Sequence, residues 1–398
     1  MYRLSIRPLF GLLAALACVA GCASPNTASR PTQTPQAPQP SVQVPAFDPQ
    51  GTVTFALLAP LSTPRERAAQ LAQALVNSAR LGMADLNDRR LEPKVYDTAG
   101  VPATAAQMAD RALAEGADIV LGPLFSGATK SVASRVGPRG VKVLSFSTDT
   151  SAAGGPVWVT GFLPEMEAAR ILSFAARQGF DQVGVLYPAT PAGQAALRGS
   201  REASQRGLTQ VIGEASFQPG FQGVQEGTAI FADTAIGANS VLVATAGRDL
   251  QAAGSFLDFY NFNPRRVKFL GLGQWYSPAT LREQTLQGGW FPAPDQAKSD
   301  AFSARYAQRF GSKPPLVAVL GYDAVQVAGQ LVQAARQAGA SDLFDTALLT
   351  RSSGFEGGLG RIRFTPDGRS ERALAILEVV SGNFATVDPA PLSFPPGS

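Results

Sequence analysis

Histidine does not occur anywhere in the 398 residues. Its absence removes at once the commonest general base, the commonest zinc ligand and every Ser-His-Asp or Cys-His arrangement. Cysteine is nearly as scarce: the only two, Cys18 and Cys22, sit close to the amino terminus. The rest of the chain therefore has no thiol for a disulfide, a nucleophile or an iron-sulfur cluster, and must be held by packing. Charge is thin too, at 16% of residues with a formal excess of +4. These cations form no Lys/Arg run interleaved with aromatics, which argues against a nucleic-acid partner. Apolar residues are abundant, at 45%, and supply one large or two medium cores.

Arg3 and Arg7 precede an apolar stretch over 8–19 that is short for a membrane span but suits the core of a signal peptide. Residues 19–22, Val-Ala-Gly-Cys, resemble the bacterial lipobox, in which cleavage precedes the cysteine and its sulfur carries the lipid. This predicts a signal peptide over 1–21 and lipidation at Cys22; the alternatives are a plain secretory signal or an amino-terminal anchor. Ala23 after the cysteine resembles the pattern routed to the outer membrane, which favours that membrane over the inner one. The stretch 22–50 is then a lipidated cysteine and a stalk rich in Pro, Gln, Thr and Ser, with too few large apolar side chains to pack a core. Its prolines favour extended backbone at about 3 Å per residue.

From Val53 onward the pattern alternates. The apolar run over 53–59 reads as a strand buried on both faces of a parallel sheet. Leu71, Leu75, Ala79, Met83 and Leu86 then recur at helical spacing. Strands follow at 94–97, 118–121 and 141–144, with helices over 103–115 and from about 127, which is the signature of a doubly wound sheet. A second series opens with a strand at 182–187 and a helix over 192–206, and continues with strands at 211–215, 240–244 and 267–272. Two series imply two lobes. Helices are predicted again over 300–310 and 316–338, and a final hairpin joins 361–364 to 373–380 around Pro366-Asp367-Gly368.

In this order the elements resemble the leucine-binding-protein family, the type I periplasmic binding fold, over 51–387. FALLAPLS at 55–62 resembles its opening strand, DIVLGPLFSG at 118–127 its third strand and ligand-side loop, VLSFSTD at 143–149 its fourth, and GYDAV at 321–325 the helix that returns to the first lobe. The resemblance implies an α/β protein of two lobes joined by three crossings: lobe 1 from 51–161 with 291–352, lobe 2 from 162–290 with 353–387, and a tail over 388–398. Within the family, LLAPLS, LGPLFSG and FSTD are most similar to the penicillin-binding protein activators. That implies a non-catalytic envelope lipoprotein contacting a peptidoglycan synthase, held to the membrane by its lipid alone. The other reading is the substrate-binding lipoprotein of a branched-chain amino-acid transporter.

A ligand would lie between the lobes, at the carboxyl ends of the strands. Phe125 and Ser126 belong to the loop after the third strand, where backbone N–H groups and a hydroxyl could receive a carboxylate, although Ser126 would serve equally as a helix cap. That loop, GPLFSGATK, lacks the GKS or GKT of a phosphate-binding loop. The resemblance places Ser147 and Thr148 at the cleft, and Ser62, Tyr187, Tyr322 and Asp323 fall in the matching segments. The stretch after Tyr187, with Pro188 and Pro191, departs from the family's closing pair and weakens an amino-acid reading. Gln274 and Trp275 follow an apolar strand, where an aromatic could stack on a ligand or cover a lobe edge. The carboxylates Asp97, Asp149, Glu165 and Asp323 show no spacing that singles out an acid-base pair, so the chain reads as no enzyme, with no cofactor or metal.

Overall fold

A computed structural model describes residues 48, 50–340 and 342–394. The expected signal peptide, the lipidation at Cys22 and nearly all of the stalk lie outside the described residues, as do 395–398. The described residues belong to one compact unit, Gln43–Ser398.

The first lobe opens β1 (Val53–Ala59), α1 (Glu66–Leu86), β2 (Leu91–Asp97), α2 (Pro102–Ala114), β3 (Ile119–Leu121), α3 (Ser126–Val136), β4 (Lys142–Ser145), β5 (Val157–Val159). These strands form one parallel sheet in the order β2-β1-β3-β4-β5. All seven residues of β1 are buried, as the unbroken apolar run predicts for a strand covered on both faces. The second lobe runs α4 (Pro164–Arg177), β6 (Gln182–Pro188), α5 (Pro191–Gln205), β7 (Gln210–Phe217), α6 (Phe221–Thr234), β8 (Ser240–Val243), α7 (Gly247–Phe259), β9 (Lys268–Leu270), α8 (Pro278–Leu281), β10 (Trp290–Ala293).

The chain then returns to the first core through α9 (Gln296–Phe310), α10 (Val319–Ala338), α11 (Thr346–Leu349) and a small antiparallel sheet, β11 (Phe355–Gly357), β12 (Gly360–Phe364), β13 (Ser370–Arg372). It ends in the second lobe with β14 (Ala375–Val380) and β15 (Asn383–Asp388), which extend that sheet to β15-β14-β10-β9-β8-β6-β7. Helix α10 lies so close on α1 that a Cβ at Gly321 would stand 2.1 Å from the Leu75 carbonyl oxygen. Only glycine allows that approach.

Three expectations need correction. Residues 361–364 do form a hairpin arm, but the partner is β13, and 375–380 joins the other sheet beside β10. The boundary expected at 290/291 falls inside β10, whose four residues are all buried in the second sheet. The segment from 353 stays with the first lobe as far as β13: Phe355, Ile362 and Phe364 belong to its core, and the last crossing comes at 373–374. Helices α4, α6, α7, α8 and α11 and strands β5, β10, β11, β13 and β15 are additions to the sequence reading.

Candidate functional site

The loops that follow the first-lobe strands are built by internal hydrogen bonds. Gly122 has φ +90°, and a Cβ there would meet the Leu58 carbonyl oxygen at 2.3 Å, so the turn after β3 depends on glycine. Behind it the Ser145 hydroxyl donates to the Pro123 carbonyl (3.1 Å), lies 2.8 Å from the Thr129 hydroxyl, and accepts from the Ser147 N–H (3.2 Å). Ser147 is itself buried, and its hydroxyl accepts the Asp149 N–H at 3.0 Å. Its side chain shapes the loop.

The first loop is similar. Burial would raise the carboxyl of Asp97, but bonds from the Ser62 hydroxyl and the N–H groups of Ala99, Ser62 and Leu61 outweigh it and hold the group below its ordinary value. Ser62 is exposed and spends its polar atoms on that turn. Phe125 occupies the cap position of α3 without a side-chain cap bond, packs half-buried on the α2–α3 alanines, and has the Arg65 guanidinium 6.0 Å from its ring centre. Ser126 is the first residue of α3, so the cap reading does not hold. The Ser126 hydroxyl, behind that of Ser151, helps keep Asp149 below the usual carboxylate range.

A cavity of about 350 Å³ lies between the lobes, with Thr148, Asp149 and Ser151 on one side and Pro164, Gln194 and Arg198 on the other. Thr148 is exposed there. Gln194 and Arg198 escaped the sequence reading; the only signal was the Thr190-Pro191 helix start, where the Thr190 hydroxyl accepts the Gly193 N–H.

Five of the predicted cleft residues, counting Ser147, are buried. Tyr187 sits in the second-lobe core at 8% exposure. Trp275 is fully buried, its indole N–H donating to the carbonyls of Val243 (3.3 Å) and Thr245 (3.1 Å), while its neighbour Gln274 is exposed. The Tyr322 hydroxyl donates to Asp85 Oδ2 at 2.7 Å, and burial pushes its pKa up to about 12.

Asp323 marks the hinge instead. Its carboxylate accepts the Gly358 N–H (2.8 Å) and pairs with Arg372 Nη1 (2.7 Å), both side chains almost wholly buried. Arg372 also donates from Nη2 to the Thr160 carbonyl (2.8 Å), with its guanidinium 4.5 Å from the Phe162 ring centre. One ion pair thus ties α10 to two crossings. Beside it Glu167, in the first turn of α4, accepts the Gly273 N–H at 3.0 Å, and burial pushes its carboxyl up to about 7, against the pull of that bond and of Arg372. Glu165 Oε2 is buried with no hydrogen-bond partner. A lone arginine in a short strand gave no sequence signal for this cluster.

Two αβ lobes, three crossings and a cavity facing the strand ends define a type I periplasmic binding protein fold. The chain belongs to the periplasmic binding protein family, whose model matches residues 52–383. Membership implies a periplasmic or envelope location, and proteins of this family typically bind ligands or regulate rather than catalyse.

Solved structures agree on the fold. One named for a branched-chain amino acid ABC transporter from Rhodospirillum rubrum has 21% identity and a TM-score of 0.69 over 84% of this chain and 100% of that one. A leucine-binding protein from Thermotoga maritima has 18% identity and a TM-score of 0.56, over 84% and 97%. The C-domain of LpoA from Haemophilus influenzae, described as a regulator of PBP1A, has 16% identity and a TM-score of 0.65, over 84% and 99%. No curated protein sequence matches the chain.

Proposed function

We propose that the protein is a non-catalytic envelope lipoprotein, anchored through Cys22 and favouring the outer membrane, that regulates peptidoglycan synthesis by contact with a penicillin-binding protein. One observation carries this reading: three of the side chains expected to grip a solute are spent on other protein groups, Trp275 on two carbonyls, Ser147 on its loop and Asp323 on Arg372. A receptor instead converges unpaired polar groups on its pocket. The likeness to the LpoA domain, a regulator of PBP1A, is in keeping with it. The test is co-purification of the full lipidated chain with bifunctional penicillin-binding proteins, followed by glycan polymerisation with and without it. Binding with altered synthesis supports the proposal, and absence of both overturns it.

A second reading has its own support. Thr148, Asp149 and Arg198 around the interlobe cavity could face the charged ends of an amino acid, as in a transport receptor. Tight binding of an aliphatic amino acid would establish it.

A further inference from the structure

Beside the crossings, and lined by a different set of residues from the interlobe cavity, lies a larger space of about 600 Å³. One face of α4, including Met166, Ala169 and Arg170, forms one wall; β13 with Leu374 of the last crossing forms another; the run 388–394 closes the outside. That run is fixed at both ends. Asp388 accepts from Arg170 Nη2 at 2.6 Å, and the Arg363 guanidinium lies 4.8 Å from the Phe394 ring centre.

The lining is largely apolar, with Phe162, Leu163, Leu374 and Leu392 among its walls, and the volume suits a small molecule. Its polar groups favour an incoming acceptor. Glu202 and Glu371 are bonded to Arg369 and Arg363, and Asp388 to Arg170. Arg206, exposed on the lining, makes no ion pair among the described residues. Two wall residues also hold polar atoms without a hydrogen-bond partner, Arg372 Nε and the Ser370 hydroxyl, but these atoms are buried behind the wall. Glu167, also in the wall, is pushed up to about 7 by burial and so opposes an anion less than an ordinary carboxylate would.

We propose that this hinge-side cavity binds a small apolar carboxylic acid, its hydrocarbon against α4 and the 388–394 run and its carboxylate toward the exposed Arg206 guanidinium at the rim. The site stands independently of the reading of the interlobe cleft. Because its walls include two crossings, occupancy is coupled to the hinge.

The test is calorimetric titration of the full chain with octanoate and 4-phenylbutyrate, beside octanamide and octylamine. The acids bind, and the neutral amide and the amine bind at least about tenfold more weakly, as expected when charge-assisted bonds are lost. Ala169→Phe, which fills the cavity from α4, abolishes binding. Leu392→Glu weakens it at a wall position that is 86% exposed, where the fold survives substitution. Absence of acid binding to the folded protein, equal affinity for the amide, or undiminished affinity in Leu392→Glu overturns the proposal.

Discussion

The cleft face and the hinge of this protein treat their polar groups in opposite ways. Around the cleft, Asp97 collects three backbone N–H groups and the Ser145–Ser147–Asp149 turn closes on itself. At the hinge, Asp323 and Arg372 are buried as an ion pair, Glu167 is pushed up by burial, and Arg372 Nε, Ser370 Oγ and Glu165 Oε2 lack partners. Satisfied turns are rigid and cheap. Buried charge is costly unless fully paired, and so concentrates sensitivity to substitution, pH and ligand where it occurs. The molecule therefore carries its electrostatic tension in the crossings between the lobes.

The largest expected effect tests the hinge. Asp323→Ala leaves Arg372 buried without its counter-ion and should cost about 3–5 kcal/mol of unfolding free energy in urea titration. A cost below about 1 kcal/mol would show that water reaches Arg372 freely.

The next is a pH effect. Burial raises Glu167 from 4.5 to about 7, so between these values the folded state holds a proton that the unfolded state has released. Stability then falls as pH rises through that window and levels off above it, by about 3 kcal/mol at most. Glu167→Gln keeps an acceptor for Gly273 and should flatten the slope; an unchanged slope would assign it to another group.

On the cleft side the effects are smaller. Asp97→Asn weakens a turn bonded by charge and should cost about 1–2 kcal/mol without touching the hinge. A cost equal to that of Asp323→Ala would erase the contrast between the two regions. Smallest of all, Trp275→Phe removes one buried donor and should cost about 1 kcal/mol. Ligand binding should not change, because the indole lies inside the lobe.

The alternation of elements was legible because burial on both faces leaves a mark in the sequence: the seven-residue run of β1 and the period of α1 could be read directly. Of the short strands, β3 and β9 lay in apolar runs that could be read, whereas β5 and β13 left no mark. β5 and β13 have three residues each, too few to show a period, so the closing hairpin was joined to the next long apolar run, β14, instead. Helix α6 was passed over because its apolar residues are spread around it: Val224 and Phe231 are buried while Phe221 and Ile230 are exposed. For the site, of the ten candidate residues only Thr148 lines the interlobe cavity. The sequence could not indicate side-chain direction, and direction decides that Trp275 and Asp323 are buried while Arg198 reaches the cavity wall. Nor could it reveal the Asp323–Arg372 pair, whose members are 49 residues apart.

The account stands most directly on whether the cleft captures a solute. Calorimetric titration of the full chain with the common amino acids, one at a time, should give no affinity tighter than about millimolar, because Ser147, Trp275 and Asp323 are already satisfied within the protein. Submicromolar binding of an aliphatic amino acid, lost in Thr148→Ala or Arg198→Ala, would contradict that claim and make the protein a transport receptor.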